Sequence, residues 1–340
     1  MSFKGFICEV SKEPVSTEEC LACARNGAPK KCDMTAPIVR GFINDKRPDN
    51  FGVSVTTALG CPRQWRLKIA YDYFTKPSHE WWLFRGTALH AAAEKYAEAE
   101  GILSETRMNF LVPLGERMPK TVNDYVALAG DSVILTGKPD LVDVERGHIL
   151  DFKTTKKVPL RHYAYTCPIT GEVLREGKFP ARYDFTCGCG ETHSGKDIQS
   201  IGPPQAMSGH VWQLAIYSLM LEENGVEMYT GEIVYQSMDR QKRILIGSEK
   251  MNAAKQEVQD YLVAALPLFT QAEIPAEADV PERVKWMCEK YCPVAMECKS
   301  RPGAFVPVAE EIPQAEELEQ PLRIPVSAQT AEESIMELGY

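Results

Sequence analysis

The chain has no apolar run approaching the roughly 18 residues that a membrane span needs. Its start, Met1-Ser2-Phe3-Lys4-Gly5-Phe6, lacks the apolar segment of a signal peptide. No Gly-x4-Gly-Lys-Ser/Thr phosphate loop occurs, so any helicase or ATPase working beside this protein is a separate chain. Internal repeats are absent as well. These absences exclude a membrane protein, a nucleotide-driven motor and a solenoid, and they lead to the expectation of a cytoplasmic protein with no membrane contact.

What remains is ordinary in bulk: 340 residues, 44% apolar and 25% charged, enough for one large or two modest domains. The net charge of −9 argues at first against nucleic acid. Residues 303–340, however, carry eight Glu and one Arg, which leaves the body of the chain near neutrality. Lys153, Lys156, Lys157, Arg161, Arg175, Lys178 and Arg182 form a basic stretch, and Arg63, Arg66 and Lys68 form another. Local patches decide phosphate binding, so the overall acidity does not exclude DNA.

Three regions are expected. Residues 1–45 hold four cysteines and many turn formers, the pattern of a small metal-stapled module. Residues 46–302 form the main body, with helices read at 56–73, 84–101, 205–223 and 251–269, and a strand pair at 231–236 and 243–246. Within it, residues 158–204 contain Pro, Gly and three cysteines with little periodicity, and read as an insertion. Residues 303–340, rich in Glu, Pro, Ala and Gln, are expected to be disordered.

The stretch with most chemistry runs from Gly137-Lys138-Pro139-Asp140 to Asp151-Phe152-Lys153. If Arg146-Gly147 is a two-residue hairpin turn, residue 145 pairs with 148 and 140 with 153. Asp140, Asp151 and Lys153 then share one strand face. Upstream, Gly86-Thr87-Ala88-Leu89-His90 places an imidazole on a helix, a good ligand for Mn²⁺. Downstream, Gln213-Leu214-Ala215-Ile216-Tyr217 sets an amide and a phenol one turn apart.

The order Gly-x-x-x-His, Gly-x-Pro-Asp, Asp-x-Lys, Gln-x-x-x-Tyr resembles the RecB-like branch of the PD-(D/E)XK nucleases, over about residues 54–300. The resemblance implies an α/β fold with a restriction-endonuclease-like core, a mixed central sheet flanked by helices. It implies that His90, Asp140 and Asp151, with the carbonyl of Phe152, hold Mn²⁺ or Mg²⁺. Lys153 would activate or position the attacking water, and Gln213 and Tyr217 would line the nucleic-acid side. Asp140, Asp151, Lys153, Gln213 and Tyr217 are therefore the expected catalytic set. Such chemistry is metal-assisted phosphodiester hydrolysis.

The eleven cysteines sharpen this picture. Cys61-Pro62-Arg63 and the trio Cys288, Cys292 and Cys298 resemble the iron–sulfur staple of CRISPR-associated RecB-like nucleases and of the AddB nuclease domain. That resemblance implies a [4Fe-4S] cluster on four thiolates, with zinc as the competing occupant. Arg63, Arg66 and Lys285 are then expected to help grip a DNA strand. Cys8, Cys20, Cys23 and Cys32 have the makings of a four-thiolate zinc site. Cys167, Cys187 and Cys189 suggest a second Zn²⁺ site, with His193 as fourth ligand and His162 as its rival.

The expected function is a metal-dependent deoxyribonuclease acting on single-stranded DNA or DNA ends, in CRISPR adaptation, recombination or phage DNA processing, with other proteins of those systems as partners. The competing class is a non-catalytic iron–sulfur DNA-binding or assembly subunit.

Overall fold

The computed structural model describes residues 3–27, 32, 34–44, 53–97, 100–115, 128–129, 131–155, 158, 162–177, 183–202, 204–237, 239–271, 274–276, 279–285, 292, 294 and 298. The acidic tail lies outside the described residues, as do Lys156, Lys157, Arg161, Lys178, Arg182 and Cys288.

A mixed five-stranded sheet organises the chain, built from β1 (Leu103–Ser104), β2 (Leu141–Asp143), β3 (His148–Thr154), β4 (Thr230–Gln236) and β5 (Gln241–Ile246). The order is β5-β4-β3-β2-β1. Only β3 and β4 run parallel, in a register that sets Asp151 beside Ile233 and Lys153 beside Tyr235. Along β3, Ile149 and Asp151 are buried while their neighbours are half-buried, the alternation of a strand with one face inside.

The β2–β3 connection is a four-residue turn rather than the two-residue one expected from Arg146-Gly147. His148 pairs with Asp143 and Leu150 with Leu141, so the pairing slips by two residues from the expected one. Asp143 explains the longer turn, since its carboxylate accepts the Arg146 amide at 3.0 Å. Gly147 supplies the positive φ of 58° that closes it. A slip of two preserves facing, because side chains alternate with period two. Asp140 therefore comes opposite Asp151, not Lys153, and still shares their face.

Four helices carry the surroundings: α1 (Pro62–Ala70), α2 (Pro77–Ala97), α3 (Ser208–Glu223) and α4 (Ser248–Thr270). The helix expected over 56–73 is broken. A single turn, Val55–Ala58, precedes α1, whose first residue is Pro62 and whose N-cap is Cys61. Proline has no N–H to lose at that position and disfavours helix in the residue before it. Helix α2 begins earlier than expected, at Pro77.

Helices α3 and α4 pack together and against the sheets through Leu214, Met220, Val258, Leu262 and Phe269, all at or below 1% exposed. A second sheet orders Val53–Ser54, Ser132–Gly137 and Met108–Pro113, with Leu128–Ala129 also on Ser132–Gly137. Its last residue, Gly137, lets this sheet meet α3. A Cβ there would come within 2.8 Å of both the Tyr217 ring and Val55.

The cysteine-bearing first region is joined to the body. Strand Phe3–Ile7 pairs in parallel with Tyr73–Thr75, and Phe42 packs edge-on against Phe84 at 5.9 Å. The insertion is more regular than its sequence reads. It has a three-stranded antiparallel sheet of 162–166, 173–177 and 199–202, and a small hairpin of 185–186 with 192–193.

Candidate metal centre and cysteine clusters

The β2–β3 end of the sheet gathers buried carboxylates. Asp151 is fully buried, and neither carboxylate oxygen accepts a hydrogen bond. Its one close counter-charge is Lys153 Nζ, 2.6 Å from Oδ2 but not aligned as a donor. Asp140 is 7% exposed and accepts the Phe152 amide on Oδ2 at 2.7 Å. Burial, and then the Asp151 charge, push the Asp140 carboxyl up to about 6. Two carboxylates buried this close repel each other.

His90, carried by α2, meets oxygen on both ring nitrogens. Nδ1 lies 3.2 Å from Asp140 Oδ1, and Nε2 lies 3.4 Å from the Phe152 carbonyl. Of the groups implied by the family resemblance, His90 touches both Asp140 and the Phe152 carbonyl, and Asp151 stands near enough for its charge to act on Asp140. A buried carboxylate without a hydrogen bond near a second buried carboxylate, with an imidazole and a carbonyl at hand, fits a hard divalent cation.

Glu105 belongs to the same neighbourhood and escaped the sequence reading. Its carboxylate lies 3.7 Å from His90 Nδ1, and the His90, Glu105 and Asp140 ligand atoms all fall within 4.8 Å of one another. Lys138 Nζ meets its other oxygen at 3.0 Å. Glu105 follows the two-residue strand β1 and adopts φ 46°, a left-handed conformation uncommon for a non-glycine residue. Its amide approaches the Asp140 carbonyl at 3.4 Å, so the strained turn is also what delivers its side chain.

Gln213 and Tyr217 are placed differently from expectation. Both are buried, at 7% and 4% exposed, and the Gln213 amide donates to the Tyr217 hydroxyl at 3.0 Å. Burial and then the Asp151 charge raise the Tyr217 phenol well above its ordinary range, so it stays a neutral hydroxyl. The pair backs the carboxylates rather than an open surface.

The staple residues come together from the two ends of the main body. Cys61 caps α1, accepting the Gln64 amide on sulfur at 3.4 Å. The Gln64 side-chain amide reaches Cys292 Sγ at 3.5 Å. Arg63 donates from Nε to Cys298 Sγ at 3.0 Å, and from its two terminal nitrogens to the Pro275 and Cys298 carbonyls at 2.7 and 2.8 Å. Arg63 and Arg66 are each only 1% exposed, which overturns their expected role in gripping DNA. An arginine so buried is occupied inside, and here it holds the last cysteine. Cys288 lies outside the described residues.

Two further cysteine groups gather. Ser16 and Glu19 form a reciprocal capping box on helix Thr17–Arg25, which sets Cys20 and Cys23 on one helix face. Cys8, Cys20, Cys23 and Cys32 line one cavity of about 100 Å³. Burial, followed by the charges of Cys32, Cys23 and Cys8, pushes the Cys20 thiol up to about 11. In the insertion, Cys167, Cys187, Cys189 and His193 bring their ligand atoms within 4.8 Å of one another, a set that can hold a metal ion. His193 supplies the fourth ligand atom.

Aromatic residues near the motifs serve packing. Trp65 meets Phe269 edge-on at 5.6 Å, and Trp212 meets Tyr261 at 5.1 Å. Among the described residues, no helix is long and apolar enough to cross a membrane.

No protein-family model matches the chain, and no curated protein matches it. The chain is similar to the solved structure of SSO0001, at 15% sequence identity and a TM-score of 0.41, over 77% of this chain and 93% of that one. Likeness of that degree fixes neither family nor activity.

Proposed function

We propose that this protein is a divalent-metal-dependent deoxyribonuclease of the RecB-like PD-(D/E)XK kind, built on a restriction-endonuclease-like core. The observation that carries the reading is the buried Asp151, without a hydrogen-bond partner, opposite Asp140 and ion-paired to Lys153. Such an arrangement is costly for a fold and is explained by the cation it would bind. Mn²⁺ or Mg²⁺ would be held by His90, Asp140, Asp151 and the Phe152 carbonyl, with Glu105 beside them. Bound there, the cation would polarise the scissile phosphate and lower the pKa of an attacking water.

The chain's own residues do the rest. Lys153 Nζ orients the water and offsets charge gathering on phosphate oxygens. The neutral Tyr217 hydroxyl, held by Gln213, maintains the shape of the buried wall behind Asp151. We assign to the staple a [4Fe-4S] cluster on Cys61, Cys288, Cys292 and Cys298, a reading supported by N–H donors reaching the sulfurs of Cys61, Cys292 and Cys298. We assign the first cysteine group, which lines one cavity, to a structural Zn²⁺ ion on its residue types.

Single-stranded DNA or DNA ends are the substrates we assign. The test is cleavage of end-labelled single- and double-stranded DNA with Mn²⁺ against EDTA. Wild-type protein should cut, and Asp151→Asn and Lys153→Ala should cut at least ~10²-fold more slowly while still binding DNA. DNA binding by the wild type with no cleavage under any divalent ion would replace this reading with the non-catalytic subunit.

A further inference from the structure

The insertion between the strand carrying Lys153 and the helix carrying Gln213 has almost no core. Among its described residues from 162 to 202, the buried side chains are Tyr165, Cys167 and Cys187. Of its other large apolar residues, Ile169, Val173, Tyr183 and Ile201 are exposed, while Tyr163, Leu174, Phe185 and Ile198 are only half-buried, and one small aromatic contact, Phe185 on Tyr165 at 4.9 Å, is the nearest thing to a core. The main hydrophobic cluster draws no residue from this stretch. Short strands without a shared apolar face do not hold together unaided.

Two of the three buried side chains are metal-ligand types, and they sit where the insertion's pieces meet. Cys167 directly follows the first strand of the small sheet, Cys187 directly follows the first strand of the hairpin of 185–186 with 192–193, and His193 ends its second strand. Cys167 Sγ lies 3.2 Å from Cys187 Sγ and 3.8 Å from Cys189 Sγ. His193 Nε2 lies 3.5, 3.6 and 3.3 Å from the sulfurs of Cys167, Cys187 and Cys189. A tetrahedral zinc with ordinary Zn–S and Zn–N bonds spaces its ligands at about 3.8 Å for S–S and about 3.6 Å for S–N. The His193 distances match that spacing, and so does the Cys167–Cys189 distance.

Backbone amides complete the cradle. The Thr170 amide donates to Cys167 Sγ at 3.4 Å, and the Cys189 amide to Cys187 Sγ at 3.3 Å. Turns that aim N–H groups at sulfur favour thiolates and orient them as ligands. The sulfurs of Cys187 and Cys189 lie in bonding contact within the set. A bond between them and a shared metal exclude each other, so the two states are experimentally separable.

We propose that Cys167, Cys187, Cys189 and His193 hold one Zn²⁺ ion that takes the place of a hydrophobic core for residues 162–202, making the insertion a module whose folding depends on zinc while the sheet and helices of the body fold without it. The inference stands apart from the nuclease reading, since none of its residues touches the carboxylate site.

The experiment uses the full chain purified anaerobically with reductant. Zinc and iron are counted by elemental analysis for wild type, Cys189→Ser and His193→Ala. Trypsin then probes the bonds after Arg175, Lys178, Arg182 and Lys196. Each variant should hold one zinc fewer than wild type. Each should also be cut in the insertion about tenfold faster or more, while the far-ultraviolet melting transition of the body persists. A zinc count unchanged in both variants would overturn the proposal. So would unchanged protection despite zinc loss, or a Cys187–Cys189 disulfide in the reduced wild-type protein. Nuclease activity enters none of these readouts.

Discussion

Asp140 and Asp151 face each other where water is scarce, with the Lys153 ammonium against the second and the His90 imidazole against the first. Because Asp140 is raised to about 6, chiefly by burial, the folded protein holds its proton more tightly than the unfolded chain does. In metal-free protein, therefore, this residue disfavours the fold increasingly as pH climbs from the usual carboxylate range near ~4 to about 6. A cation competes with that proton. Added Mn²⁺ should raise the melting temperature more at pH 7.5 than at pH 5, and an equal rise at both would count against Asp140 as a ligand. Glu105→Gln should weaken Mn²⁺ binding roughly 10- to 100-fold, read by calorimetry, the usual loss when a group around a metal is neutralised. Glu105 was not legible in the sequence. It stands in a polar run after Gly101, at no spacing that ties it to the other motifs, and only the left-handed turn brings it to His90. Arg63 and Arg66 misled for the opposite reason: their charge reads as surface although both are buried, and Arg63 is enclosed by partners more than 200 residues away.

At the scale of elements, the face shared by Asp140, Asp151 and Lys153 was readable although the hairpin register was not. Period-two alternation survives an even slip, and the longer turn set by Asp143 and Gly147 moves the pairing by two. Helices were legible where apolar periodicity was strong, as in α3 and α4. The break before α1 was signalled by Cys61-Pro62 but masked by apolar residues on both sides. Strands in the insertion carry little apolar alternation, so nothing marked them. Gly137 ties an element boundary to the site, because its missing side chain is the space that Tyr217 and Met220 occupy. Gly137→Ala should cost about 1–3 kcal/mol in denaturant unfolding by overpacking, with its strain directed at the Tyr217 ring behind Asp151. Gly86 contrasts with it: a Cβ there meets only Thr154 Oγ1, at 3.7 Å, so Gly86→Ala should be tolerated.

Over the whole molecule, the first and last parts of the body are fastened at one point. Arg63 spans 235 residues to Cys298, and the same guanidinium takes the Pro275 carbonyl. Removing it leaves two carbonyls and a sulfur without their donor inside a buried contact. Arg63→Met should therefore destabilise the protein by about 3 kcal/mol or more, measured by the urea midpoint, and Arg63→Lys should recover only part of that loss. The bidentate reach that lysine lacks is the distinguishing feature.

That long span also sets an order in time. During synthesis the carboxylates, both strands that frame them and the capped helix α1 emerge well before Cys298. Until that cysteine leaves the ribosome, the Arg63 guanidinium lacks the sulfur and carbonyl of Cys298, and α1 is held by its packing on α4. A product cut short before residue 298 thus keeps every residue proposed for cleavage and lacks the fastening that encloses Arg63. The contact that closes around Arg63 is thus made late, only once residue 298 has emerged.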